Sequence, residues 1–170
     1  MMKHLVVLIL SMFFMCMPMA SAAQWVPFVF EELEGRSDLS LDYFDADSVL
    51  IQQDAAGQLV RLYYWEKRIY PASAEGNIDC QIGLVRYDRE GHHSYDALMY
   101  SHFVSGSELF QKPKNWTDRG AATENNMAGV RKAGQVMEKE LERGKNKVML
   151  NRIRQPLLLD EVDFPRSLLN

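Results

Sequence analysis

"QLVRLYYWEKRIYPASAEGNIDCQIGLVRYDREGHHSYDALMYSHFV", residues 58–104, holds three runs rich in aromatic and β-branched residues, separated by turn chemistry. In the first run Leu59, Arg61, Tyr63, Trp65 and Lys67 share one side of an extended chain, and Val60, Leu62 and Tyr64 share the other. This is the period-two pattern of a long strand. "PASAEGN" then reads as a loop, "IDCQIGLVRYD" as a second strand, "REGHH" as a tight turn and "SYDALMYSHFV" as a third strand.

Working back from this stretch, "DAAG" (Asp54–Gly57) supplies a hairpin turn, and three shorter strands precede it: "QWVPFVFEEL", "LSLDYFD" and "SVLIQQ". Pro27 limits the first to an edge or a strand start, because proline has no N–H to give the ladder. Six strands with short connectors predict an antiparallel meander.

Working forward, the period changes. In "ATENNMAGVRKAGQVMEKELERG", Met127, Val130, Gly134, Met137 and Leu141 recur at helical spacing, with Thr123 placed to cap and Gly144 to terminate. The narrow stripe fits docking on the sheet or a short heptad seam between copies, and Ala133 and Gly134 weaken the seam. "VMLNRIR" is one more candidate strand, and "QPLLLDEVDFPRSLLN" is apolar enough to pack. The fold class is α+β: an antiparallel sheet of about six strands with a C-terminal amphipathic helix packed against it.

The chain has 170 residues and a formal net charge of −4. Residues 1–23 read as a secretory signal: Lys3 and His4, an apolar run from Leu5 to Met17, then "ASAA". The run is too short for a spanning helix, and Phe14 and Met15 do not suit a lipoprotein signal at Cys16. The expected organisation is a signal peptide over 1–23, one α+β domain over 24–154 and a C-terminal tail over 155–170, the product exported to the periplasm or cell surface with no integral membrane segment. Residues 24–111 hold 6 Lys plus Arg against 15 Asp plus Glu, and residues 112–154 hold 11 against 5. Within the basic half Arg143, Lys145, Lys147, Arg152 and Arg154 form a cluster that is either solvated surface, docked on the acidic half, or a site for a polyanion such as a sulfated glycan. An acidic exported chain is a poor partner for nucleic acid.

Trp25 near the expected mature N-terminus, "YFDADSV" (Tyr43–Val49), a polar hairpin, "VRLYYWEKR" (Val60–Arg68) and "IDCQIGLVRYDREG" follow one another in an order that resembles the surface-adhesin protein E family of small exported Gram-negative proteins. The similarity runs over residues 25–91. It implies an antiparallel sheet with a helix against it, a place on the envelope, and binding of host or envelope macromolecules without catalysis; the alternative is a small periplasmic structural or ligand-binding protein. It also implies that Cys80 stands where relatives form a disulfide to the helix region. No second cysteine follows here, so the helix is expected to depend on packing alone.

No catalytic or cofactor motif is present in the sequence, and no metal site is expected. Cys80, Ile82 and Leu84 share a strand face, and an apolar neighbourhood raises a thiol's pKa, so an inert buried thiol competes with intermolecular pairing or catalysis. His92 and His93 beside Asp88 and Glu90 point to opposite sides if extended, which disfavours a shared metal. His102 reads as a hydrogen-bonded structural side chain. Asp42, Asp45 and Asp47 lack the glycine and glutamate spacing of a calcium loop, and Asp45 and Asp47 read as turn chemistry. The Arg61, Tyr63, Trp65, Lys67 face is the remaining candidate: open, it suits a protein or glycan partner; covered by the helix, it is core with polar tips.

Overall fold

A computed structural model of the chain describes residues 22–28, 40–71, 77–122, 133–144 and 150–170. Three eleven-residue strands form the centre: β4 (Leu59–Ile69), β5 (Ile78–Asp88) and β6 (His93–Phe103). They pair antiparallel in sequence order, as the alternation in residues 58–104 requires. Asp54 Oδ1 accepts from the amides of Ala56 and Gln58 at 2.9 and 2.8 Å, and Gly57 takes φ +80°, so the turn into β4 is built by its own residues. Between β5 and β6 a short 3₁₀ turn, Glu90–His92, reverses the chain with Gly91 at φ +74°.

Both flanks of this centre are interrupted strands. β2 (Leu41–Asp45) pairs with the C-terminal half of β4 and β3 (Val49–Gln53) with its N-terminal half. The two lie in line along one edge, separated by a turn in which Asp45 Oδ1 accepts from the amides of Asp47 and Gln24. On the other flank β7 (Glu108–Phe110) and β8 (Thr117–Ala121) pair with opposite halves of β6. β1 (Trp25–Pro27) edges β2, and β9 (Leu150–Ile153) lies parallel to β3. The nine strands among the described residues form one open sheet, antiparallel but for the β3–β9 pair. The plain meander is corrected accordingly: the second and third predicted strands are in-line pieces on one side of β4.

The helix α1 (Ala133–Arg143) covers one face. Its Ala133 and Met137 are buried with Leu62, Tyr64, Val85, Tyr87, Phe44 and Phe28. Gly134 explains its own presence in the stripe, since a Cβ there would overlap the ring of Tyr87. The Tyr87 hydroxyl donates to Glu138 of the helix at 3.1 Å, and Arg89 pairs with the same carboxylate at 2.9 Å. Thr123, Met127 and Val130, assigned to this helix from the sequence, lie outside the described residues.

The opposite face is covered by the C-terminal segment. Leu157, Leu159, Val162, Phe164 and Leu168 pack on Tyr63, Trp65, Ile82, Leu84, Met99 and Tyr100. The ring of Phe164 meets Trp65 edge-on at 5.6 Å and stacks on Tyr100 at the same separation. A register shift in β6 after Leu98 turns two consecutive residues, Met99 and Tyr100, into this layer. Residues 155–170 are therefore a packed cover. No helix among the described residues is long and apolar enough to cross a membrane.

Candidate functional site

The four predicted β4 residues are all engaged inside the molecule. Tyr63 and Trp65 are 1% and 5% exposed. The Tyr63 hydroxyl donates to Gln52 Oε1 at 3.1 Å and accepts from the Leu157 amide at 3.4 Å. Arg61 pairs with Asp88 at 2.8 Å, and Lys67 sits over the Trp25 ring at 4.4 Å, where burial lowers its pKa. The face is closed by the C-terminal segment and not by the helix, which lies on the other side. These side chains are thus core and its polar fringe.

The basic cluster is split. Arg143 Nη1 donates to Glu140 at 3.3 Å on α1. Arg152 and Arg154 line a concavity of about 550 Å³ with Gln53, Asp54, Ala55 and Gly57, at the end where β9 meets the β3–β4 turn. Lys145 and Lys147 lie outside the described residues.

Cys80 is half-buried in the layer under the C-terminal segment, not on the helix side. Burial pushes its thiol pKa up, and the nearby Lys67 ammonium opposes this only in part. Three histidines are held one by one: His92 Nδ1 at 2.6 Å from the Tyr87 hydroxyl, His93 Nε2 at 2.6 Å from Asp118, His102 Nδ1 at 2.6 Å from Asp79. Among the described residues no group of His, Cys, Asp and Glu is arranged to hold a metal. Asp42, set aside as a calcium ligand, joins an ion network.

That network was not anticipated from the sequence. Arg119 of β8 donates to both carboxylate oxygens of Glu66 at 3.1 and 2.9 Å and to Asp96 at 2.9 Å. Arg68 reaches Glu66 at 2.8 Å and Asp42 at 3.2 Å. It lies on the helix side of the sheet, where Glu66 follows Leu62 and Tyr64 on the same face of β4 and is 3% exposed. Burial alone would lower the Arg119 pKa, but the Glu66 and Asp96 carboxylates reverse this and raise it. A pocket of only about 50 Å³ borders the network, enough for water and little else. The signal in the sequence was a glutamate at a core-facing position of an aromatic strand, which demands a buried cation.

The larger opening lies on the other face. A solvent-open cleft of about 680 Å³ runs between the β7–β8 connection and the C-terminal segment, lined by Lys112, Pro113, Lys114, Asn115, Trp116, Leu157, Leu158, Leu159 and Asp160. Volumes of roughly 300–1,000 Å³ are typical of small-ligand sites. Compared with family models, curated proteins and solved structures, the chain matches none.

The walls of the cleft are mostly apolar and one of them is held still. Trp116 lies 6.1 Å from the Tyr63 ring and 5.3 Å from the Arg86 guanidinium, which itself lies 3.9 Å over Tyr95. These contacts hold the indole in place without filling the cleft. Leu158, on the facing wall, is 52% exposed although its neighbour Leu159 is buried. The sequence contained these residues only as an "NWT" triplet matching a glycosylation acceptor and as an apolar "LLL" run. Neither shows that segments 40 residues apart face each other.

Proposed function

We propose that this chain is an exported, non-catalytic binding protein of the cell envelope, and that it takes its ligand in the cleft between Trp116 and Leu158. The observation that carries the reading is the cleft itself: an open apolar concavity of ligand size with exposed Leu158 on one wall and Trp116 fixed on the other. Export rests on the leader-like residues 1–23. The motif order that resembles the surface-adhesin protein E family agrees with a binding role on the envelope. An adhesive surface made of the β4 aromatic face would first require the C-terminal segment to leave. The thiol of Cys80, raised by burial, argues against a nucleophilic role.

Leu158→Glu tests the site, because Leu158 is exposed enough for the fold to tolerate the change. The wild type should bind anilinonaphthalene sulfonate saturably with energy transfer from tryptophan, and the variant should lose that signal with an unchanged circular dichroism spectrum. Equal binding by both would remove the cleft from consideration. Fractionation tests the address: recovery in the cytosolic fraction instead of the osmotic-shock or surface fraction would overturn export.

A second reading concerns Arg152 and Arg154, which share one concavity. A polyanion there predicts retention on heparin that falls as salt rises, and loss of it in the double Arg152→Gln, Arg154→Gln variant.

A further inference from the structure

Resting on the cleft reading above, we infer that the ligand is a single-chain amphiphile with an anionic head, a long-chain carboxylate, whose alkyl chain lies between Trp116 and Leu158 and whose head meets Lys114. Three features of the lining lead there.

The first is the balance of groups. Pro113, Trp116, Leu157, Leu158 and Leu159 form the apolar walls, and only Lys112, Lys114, Asn115 and Asp160 bring polar side chains. An extended peptide carries a donor and an acceptor at nearly every residue, and so few side chains would leave most of them unpaired. An alkyl chain has no such requirement. Its freely rotating methylenes also fit walls built from two irregular segments.

The second is where the charge sits. Both lysines flank Pro113 on one wall, and the one acid, Asp160, belongs to the facing segment. Lys114 makes no ion pair among the described residues. Lys112 pairs at 3.0 Å with Asp163, whose side chain is 91% exposed, and a pair so open to water is readily exchanged. A cation without an ion-pair partner among the described residues, beside an apolar trough, complements a head of single negative charge, and Asp160 opposes heads of higher charge.

The third is that the wall is ready before the ligand arrives. Contacts of Trp116 with Tyr63 and Arg86 come from strands of the sheet, so the indole need not be ordered on binding.

The test uses the full chain and 9,10-dibromostearate below its aggregation concentration, since bromine quenches indole fluorescence on contact. The expected result is saturable one-to-one quenching that disappears in Trp116→Phe, weakens roughly fivefold in Lys114→Glu, and falls about fourfold for each methylene removed from the chain. Quenching that persists in Trp116→Phe overturns the placement. A brominated monoacylglycerol of equal chain length separates the two claims. If it binds as tightly as the carboxylate, the cleft stands and the anionic head is overturned; if neither compound quenches, the cleft reading fails with it.

Discussion

The two faces of this sheet are built from the same strands and closed in different ways. On one, α1 presents a regular surface, and Gly134 lets it approach until the backbone meets the Tyr87 ring. Beyond the helix that face is finished by an ion network of Asp42, Glu66, Asp96, Arg68 and Arg119. On the other, an irregular segment seals the aromatic centre with Leu159, Phe164 and Leu168 but leaves the cleft at its margin. A helix lays a continuous ridge on a sheet, whereas an irregular segment covers only where its few apolar side chains land. The cleft proposed as the binding site accordingly lies on the face with the less regular cover.

Removing that cover should have the largest effect. Deleting residues 155–170 exposes Tyr63, Trp65 and Tyr100 and discards five packed side chains, of which Leu159 and Leu168 are buried. Each fully buried residue of this kind contributes about 1.5–3 kcal/mol, so the loss approaches the roughly 5–15 kcal/mol that holds a whole domain. The truncated chain should bind hydrophobic dyes non-specifically and lose its cooperative thermal transition. A sharp transition near the wild-type temperature would show that the segment is an accessory.

On the helix face, Arg119→Met should cost about 3–5 kcal/mol, because it strips buried Glu66 of its bidentate partner. Urea unfolding at neutral pH measures it. The double variant Arg119→Met, Glu66→Leu should recover much of the loss, and failure to recover would mean the network acts through more than this pair. Gly134→Ala should cost less, about 1–2 kcal/mol, since crowding against Tyr87 is partly offset by alanine's better helix propensity. A stabilised variant would show that the Tyr87 ring yields to the added methyl at no net cost.

Alkaline pH probes both faces at once. Burial raises the pKa of Tyr64 and Tyr87 on the helix face, and on the other face burial and Glu108 push Tyr100 up to about 12. The folded state holds these protons more tightly than the unfolded chain, whose phenols titrate near 10. Their contribution is therefore complete below about pH 10 and falls as pH rises, that of Tyr100 being lost as pH passes about 12 and those of Tyr64 and Tyr87 only at still higher pH. Tyr100→Phe should flatten that decline in urea midpoints, and an unchanged slope would assign the decline elsewhere. The smallest change is expected from Tyr64→Phe at pH 7, within about 1 kcal/mol and in the stabilising direction, because its buried hydroxyl has no hydrogen-bond partner among the described residues.

The central strands were legible because residues 58–104 alternate so strictly that only an extended, two-sided conformation buries both apolar sets. β7 and β8 were missed: "ELF" and "TDRGA" have weak alternation, and they are strands only because β6 offers them an edge. The candidate site was legible in part as residues and not at all as a place. Arg61, Tyr63, Trp65 and Lys67 share a face as the period requires, but which cover would land on that face depends on a segment ninety residues away. Trp116 and Leu158 had no local pattern to mark them.

By itself the sequence determined which segments extend, where they turn, and that one amphipathic helix follows, because those outcomes depend on neighbours within a few residues. The tertiary structure alone decided that α1 and the C-terminal segment take opposite faces, that Glu66 finds Arg119 53 residues along the chain, and that a cleft remains between Trp116 and Leu158. Such pairings follow from which surfaces become available once the sheet has formed, and no local preference encodes them.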